Sequence, residues 1–462
     1  MNDNDNKKFF WIDYYLLFLF LSYESMAFIW FLLLKYEQLG HKWKIPYKNC
    51  ELIVNGEDFT KEEKFFGSIY KKMLVSQKRT NYNNYRSFNK KEKNMKKLLT
   101  LLLACLMMVT LFGCGSNTDD EDVDPKEGKT TVVYIINGTL GDKSFFDSGK
   151  EGLDMITEDF GDQVYCEYRE LTYDNSTWET KMADIVAEGW DIVISGTWDM
   201  LGYTEKLASE YPDTKFWFFD EQWDFEANPC ENVYCMLFKQ NEGSFVVGAM
   251  AAMASTTGKV AFMGGMNNTV LDDFFVGFAN GAKYVNPEIQ VNCSWMNSFN
   301  DVTAGKDTAT GLYESGYDVV FACGGQAGLG GFDAVIAQPE GNWIIGVDGN
   351  QGAMFAAQGS DEGTAKANRT ITSMQKNVNV GFYNAMKQHL EGTLPYGTNV
   401  KLGLDGEFVS ASVTDTTNTV FTEEQMNTIN SIIADIVAGN IEVGTAFDQA
   451  EGWFDQFVES VK

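Results

Sequence analysis

From Thr131 onward the chain alternates short, nearly continuous apolar runs with longer amphipathic stretches, and it does so in two successive series. The first series has strand-like segments at residues 131–136, 164–169, 191–195 and 215–219, separated by stretches such as 145–160 and 176–188. After a run at 233–238 the rhythm restarts at 260–263, 289–295, 319–322 and 343–347, with helical stretches near 242–253, 272–284 and 303–314. Strands that are apolar along their whole length must be covered on both faces. Their alternation with helices specifies parallel sheets sandwiched by helices. The expected fold is α/β, with two Rossmann-like, flavodoxin-like lobes in series. In such sheets a ligand binds beyond the carboxyl ends of the strands, so two facing lobes share a cleft there.

The segment before this pattern reads differently. Residues 95–114, MKKLLTLLLACLMMVTLFGC, have a short basic start, an apolar stretch too short for a comfortable span, and Gly113 before Cys114. That is the layout of a secretory signal ending in a lipobox, with Cys114 as the acylated residue and 115–130 as a polar tether. A diacylglycerol pair supplies the two chains that stable anchoring needs. An export signal works at an N-terminus, so the sequence reads as starting at Met95, with 1–94 a non-conforming extension left out of the fold. The alternative is an extra membrane helix in the apolar run 14–34, which Glu24 interrupts. Beyond the tether the expected division is 131–238 for the first lobe, completed by about 365–395, and 239–364 for the second, completed by about 396–462. A run at 421–437 reads as a surface helix.

Charge and histidine content narrow the function. Residues 1–97 hold 18 Lys+Arg and 11 Asp+Glu, which leaves 18 basic and 54 acidic residues in the body, a net charge of −36. Such a surface repels polynucleotides and anionic headgroups. The only histidines are His41 and His389, too few for a serine or cysteine triad or a common zinc hydrolase site. Five cysteines follow Cys114, namely Cys166, Cys230, Cys235, Cys293 and Cys323, without C-x-x-C spacing. That argues against a metal site and a disulfide framework; a Cys230–Cys235 pair and buried free thiols both stay open. Neither a metal nor a cofactor is expected. The glycine-rich run 324–330 lacks a following G-K-[ST] and reads as a tight strand-to-helix connection.

The residues just past each strand carry the chemistry. They are Asn137 to Phe146, with Asp142, Phe145 and Phe146; Gly196-Thr197-Trp198-Asp199; Asp220-Glu221-Gln222-Trp223; Gly264-Gly265-Met266; Asn297-Ser298-Phe299-Asn300-Asp301; and Asp348-Gly349-Asn350-Gln351. Rings can sandwich a planar group, carboxylates accept from paired hydroxyls, and glycines let backbone approach closely. The combination suits a flat, polyhydroxylated solute.

At these points the chain resembles the basic membrane protein family of lipoproteins, the purine nucleoside receptor group of the type I periplasmic-binding fold. The motifs carrying the likeness are Gly141-Asp142-Lys143-Ser144-Phe145, Glu242-Gly243-Ser244, Gly258-Lys259-Val260 leading to Gly264-Gly265-Met266, Ser298-Phe299-Asn300-Asp301 with Gly305-Lys306, Gly346-Val347-Asp348, and Thr372-Ser373-Met374 with Lys376. They span essentially residues 131–387. The resemblance implies a multi-strand hinge between the lobes, lobe closure around a nucleoside, and delivery to an ABC permease from the outer face of the membrane. It places the base between Phe145 and Phe299 and the ribose hydroxyls at Asp348, with Asp220 and Lys376 as further polar contacts. Relatives commonly carry Asp where this chain has Asn137 and Asn where it has Phe146, and Trp198 replaces a smaller neighbour. These departures leave nucleoside binding firmer than purine preference. The competing readings are another ring-bearing or sugar-like solute, a ligand-sensing surface receptor, and a carboxylate-based hydrolase.

Overall fold

The computed structural model describes residues 44–47, 50–53 and 124–462. The chain divides into two compact units, residues 1–119 and 120–462. In the first, strands Lys44–Tyr47 (β1) and Cys50–Ile53 (β2) pair antiparallel. The apolar run 14–34, the signal segment 95–114 with Cys114, and residues 115–123 of the tether lie outside the described residues. Among the described residues no helix is long and apolar enough to cross a membrane.

The second unit holds two six-stranded sheets of matching design. The first is built from Thr130–Ile136 (β3), Val164–Glu170 (β4), Ile192–Gly196 (β5), Lys215–Phe219 (β6) and Val233–Phe238 (β7), closed at one edge by Thr398–Leu402 (β13); all are parallel, in the order β13-β7-β6-β5-β3-β4. The second is built from Lys259–Gly264 (β8), Gln290–Trp295 (β9), Val319–Cys323 (β10), Trp343–Asp348 (β11) and Thr370–Lys376 (β12), with the three-residue Val409–Ala411 (β14) antiparallel at its edge, in the order β14-β12-β11-β10-β8-β9. Strand pleating explains the double burial. Val132, Tyr134 and Ile136 face helices 145–160 and 378–390, whereas Val133 and Ile135 face helices 178–186 and 201–210. In the second sheet Val260 and Phe262 point to one core and Ala261 and Met263 to the other.

Three chain segments cross between the lobes: Lys239 after β7, Asn377 after β12, and Gly403 after β13. They are laced together, Lys239 N donating to Leu402 O and Asn377 N to Phe408 O, both at 2.8 Å. The crossings fall elsewhere than the sequence suggested. Residues 370–376, expected in the first lobe, pair with β11 in the second sheet, while 398–402, expected in the second, fill the first sheet's edge beside β7. Only helix Val378–Leu390 within 365–395 packs on the first lobe, against helix 145–160 through Gly152 and Phe382. The cause is pairing: β12 has a fully buried Ile371 and Met374 and finds its register on β11, which leaves β7 for β13.

Candidate functional site in the interlobe cleft

The carboxyl edges of both sheets are marked by backbone in the sparsely populated left-handed region. Lys143, Thr172, Thr197 and Asp220 in the first lobe, and Asn297 and Asp348 in the second, all have positive φ although none is glycine. A left-handed turn costs free energy for any residue with a Cβ, most of all for a β-branched threonine. Two of these residues, Asp220 (φ 66) and Asp348 (φ 59), are the strand-end carboxylates singled out from the sequence.

The loop after β3 shows how one lobe reaches the other. Asp142, 2% exposed, accepts from the backbone N–H of Ser144, Phe146 and Asp147 at 3.1, 2.9 and 3.2 Å. Its carboxylate thus caps the first turn of helix Phe145–Phe160, a role normally given to the N-cap side chain. Asp147 in turn accepts from Gly141 N at 2.8 Å and Lys143 N at 2.9 Å. With the helix start satisfied by Asp142, the Ser144 hydroxyl is free, and it donates across the lobes to Asp348 Oδ2 at 2.6 Å. Gln326 Nε2 makes a second bridge, to Thr139 Oγ1 at 3.2 Å.

One residue further on, the Phe145 ring stacks on Phe219 (centroids 5.3 Å apart) and meets Phe146 edge-on at 5.4 Å. Both partners belong to its own lobe. Lys376, at the end of β12 and 1% exposed, comes from the other lobe and pairs with Asp220. Its ammonium also lies 4.6 Å from the Phe274 ring centroid and 5.6 Å from that of Phe145. A cation, two carboxylates and an aromatic stack therefore converge where the lobes meet. Burial pushes the Asp348 carboxyl up to about 6, against the pull of Lys376 and the Ser144 hydrogen bond. Burial likewise raises Asp220, with Lys376 opposing, and Asp142, to about 7.

The remaining candidates lie in the other strand-end loops and at the start of helix 145–160. Asn137 donates through Nδ2 to Thr197 Oγ1 at 2.8 Å and Asp199 Oδ1 at 2.9 Å. Phe146 and Tyr173 lie over Gly138, where a Cβ would fall 2.5 Å from the Phe146 ring and 3.0 Å from that of Tyr173. Trp198, in the turn after β5, is 42% exposed. Phe299 is half-buried and rests on Gly265, whose Cβ position is 2.3 Å from the ring. Asp301 caps the following helix, accepting from Thr303 N at 2.9 Å and Ala304 N at 3.0 Å. Ser144, Thr197, Asp199, Phe219 and Gln326 join the site through contacts between residues far apart in sequence. The only advance signal for them was a place within or next to a strand-end loop. The five cysteines are free, Cys230 donating to Asn232 Oδ1 and Cys235 to Glu221 O. Among the described residues no group of three or more His, Cys, Asp or Glu is arranged to hold a metal ion.

Comparison with known proteins agrees with this architecture. Residues 129–446 match the Bmp family, described as ABC transporter substrate-binding protein PnrA-like. The chain is 30% identical over 329 residues to the CD4+ T-cell-stimulating antigen of Listeria innocua, covering 68% of this chain and 89% of that protein. It is 29% identical over 313 residues to basic membrane protein A of Borreliella burgdorferi, covering 66% and 84%. In fold it is similar to an ABC transporter solute-binding protein from Aeropyrum pernix, with a TM-score of 0.62 at 22% identity over 72% of this chain and 97% of that one. With its two doubly wound lobes joined by three crossing segments, the chain belongs to the Bmp family of PnrA-like ABC transporter substrate-binding proteins.

Proposed function

We propose that the protein captures a nucleoside between its lobes outside the cell and delivers it to the permease of an ABC importer, held to the membrane through a lipidated Cys114. The observation that carries this reading is the contact from Asp348 to Ser144, which sets a hydroxyl-accepting carboxylate of one lobe one residue from the Phe145 ring of the other. A nucleoside presents that pair of features, a flat base and vicinal hydroxyls. Phe145 and Phe299 are the proposed ring contacts, Asp348 the ribose acceptor, and Asp220 with Lys376 the further polar contacts. Stacking is worth about 1 to 3 kcal/mol per base where it has been measured by substitution. Asp142 supports the site from behind, by holding the helix start that carries Phe145. The mechanism is a hinge: a solute touching both lobes favours the closed arrangement by its differential affinity for it.

A thermal-shift and calorimetry panel of nucleosides, free bases and sugars tests the assignment. Stabilisation by nucleosides supports it, and a response to sugars alone overturns it. Since the acceptor form of Asp348 is the ionised one, nucleoside affinity should weaken as pH falls through about 6. Replacement Cys114→Ser should abolish incorporation of labelled fatty acid into the protein; unchanged labelling would remove the lipid anchor at Cys114 from the proposal.

A further inference from the structure

Asn137 follows the last residue of β3, and its amide is fixed in one sense. Nδ2 donates within the first lobe, toward the neighbouring acceptors Thr197 Oγ1 and Asp199 Oδ1. The Thr197 hydroxyl donates to the same Asp199 oxygen. An ionised carboxylate only accepts, so turning the amide over would set oxygen against oxygen, and the network itself decides which end of Asn137 faces which way. Thr197 is held at φ 76 to complete the arrangement, a conformation a β-branched residue adopts only under constraint.

The consequence lies at the other end of the amide. Among the described residues Asn137 Oδ1 has no hydrogen-bond partner, and the residue is 7% exposed. It is nevertheless not among the fully enclosed, unpartnered side-chain atoms of the described residues, which are Tyr134 Oη, Gln240 Oε1 and Ser244 Oγ. The oxygen therefore keeps some exposure past the carboxyl end of β3, the end at which ligands bind in sheets of this kind. An aspartate at this position would place a second carboxylate within hydrogen-bond distance of Asp199 with no proton between them, which like-charge repulsion disfavours. Asparagine keeps the acceptor and removes the charge.

We infer that Asp199 and Thr197 are positioning residues that hold Asn137 as an uncharged acceptor for one N–H group of the bound solute, so that the cleft selects planar ligands bearing a neutral ring or exocyclic N–H at that edge. This rests on the nucleoside reading and adds to it a rule about which nucleosides bind. The sequence alone left Asn137 as a mixed donor and acceptor; the network fixes which end of the amide is engaged and leaves the oxygen as the unpartnered end.

Two ligand pairs test the rule by calorimetry: adenosine against 6-methylpurine riboside, and inosine against 6-methoxypurine riboside. The second member of each lacks an N–H that the first has. The full-length protein should prefer the donor-bearing member of at least one pair by about tenfold. In Asp199→Ala the amide is free to turn, and the preference should shrink to about threefold or less while nucleoside binding persists. Asp199→Asn should restore it, because that amide can again offer an oxygen to Nδ2. Thr197→Val supplies an independent variant should Asp199→Ala fold poorly, and it should also reduce the preference. Nucleoside binding with no donor preference in the native protein, or a preference unchanged in both Asp199→Ala and Thr197→Val, overturns the inference. Absence of any nucleoside binding by the native protein is a different result, and it overturns the nucleoside assignment along with this rule.

Discussion

The two lobes share a strand order but are packed by different means. In the first, helix 145–160 and helix 378–390 meet the sheet through rings: Tyr134, Phe219 and Phe382 lie with centroids 5.0 to 6.1 Å apart. The second has rings of its own, Phe262, Phe274 and Phe278 around Phe321, but its helices approach backbone to backbone more closely than helix 145–160 does at Gly152, whose Cβ position is 2.9 Å from Asn379 Cα. A Cβ at Gly281 would sit 1.9 Å from Phe245 O, one at Gly248 2.1 Å from Phe278 O, and one at Gly305 1.8 Å from Ala327 O. Rings can tilt when a neighbour grows; two backbones in contact cannot. The helix seams of the lobe that supplies the stacked aromatics thus have more room to adjust than those of the lobe that supplies Asp348 and Lys376. Each lobe also holds a charge or hydroxyl completed by the other, Asp220 by Lys376 and Asp348 by Ser144. The asymmetry and the reciprocity can be broken separately.

The largest effect should come from the reciprocal pair. Asp220→Ala leaves the Lys376 ammonium buried without its counter-charge and should cost about 3 to 5 kcal/mol in denaturant unfolding. The double replacement Asp220→Leu with Lys376→Met should recover most of that loss, because a well-packed apolar pair has no charge to desolvate. A cost near zero for the single change would mean that the lobes are joined without this pair. Next in size is the packing contrast. Gly281→Ala forces helices 240–254 and 269–285 apart and should cost about 1 to 3 kcal/mol. Gly149→Ala in the first lobe meets only the Tyr134 side chain, at 2.7 Å, and should cost less than half as much. Equal losses would erase the distinction between the helix seams of the two lobes.

Much of this frame was legible in the sequence because apolar runs bounded by turn residues leave few alternatives to buried parallel strands. The run 233–238 was read with the observed limits, and helix 145–160 likewise. What escaped were elements whose identity depends on a distant partner. Strand 370–376 has no signature that says which sheet it joins, and 409–411 is three residues long. Helix Gly325–Val335 was read only as a connection, since Gly325, Gly328, Gly330 and Gly331 oppose helix formation. Gly330 is required all the same, as its Cβ would fall 2.1 Å from Val302 O of the neighbouring helix. In the site, strand-end position picked out Phe145, Asp220 and Asp348, but not their partners. Ser144 and Asp348 are 204 residues apart and Asp220 and Lys376 are 156, separations over which no local pattern speaks. Asp142 was recognisable as special, yet nothing in the sequence separated a ligand contact from a helix cap.

The smallest effect, and the finest test of the contrast between lobes, is one of pH. Asp272, on helix 269–285, is raised to about 7 by burial, then by Asp455 of the C-terminal helix Trp453–Val461, and by Asp273. In the first lobe Asp142 is raised to about 7 as well, chiefly by burial. A carboxyl raised on folding adds stability that is complete below its unfolded pKa of about 3.9 and is lost as pH climbs through the folded value. Asp272→Asn removes that loss without removing an essential acceptor, since among the described residues the side chain of Asp272 accepts one hydrogen bond, from Asn267 Nδ2 at 3.2 Å. Relative to the native protein, its melting temperature should therefore rise steadily from about pH 5 to pH 8. Asp142→Asn removes the same titration but halves the acceptors available to three backbone amides, so it should melt lower than the native protein across the whole range, by about 1 kcal/mol of lost capping. If both variants responded to pH alike and neither was destabilised at pH 5, Asp142 would be a buried acid like Asp272, and the helix start that carries Phe145 would be held by something other than its carboxylate.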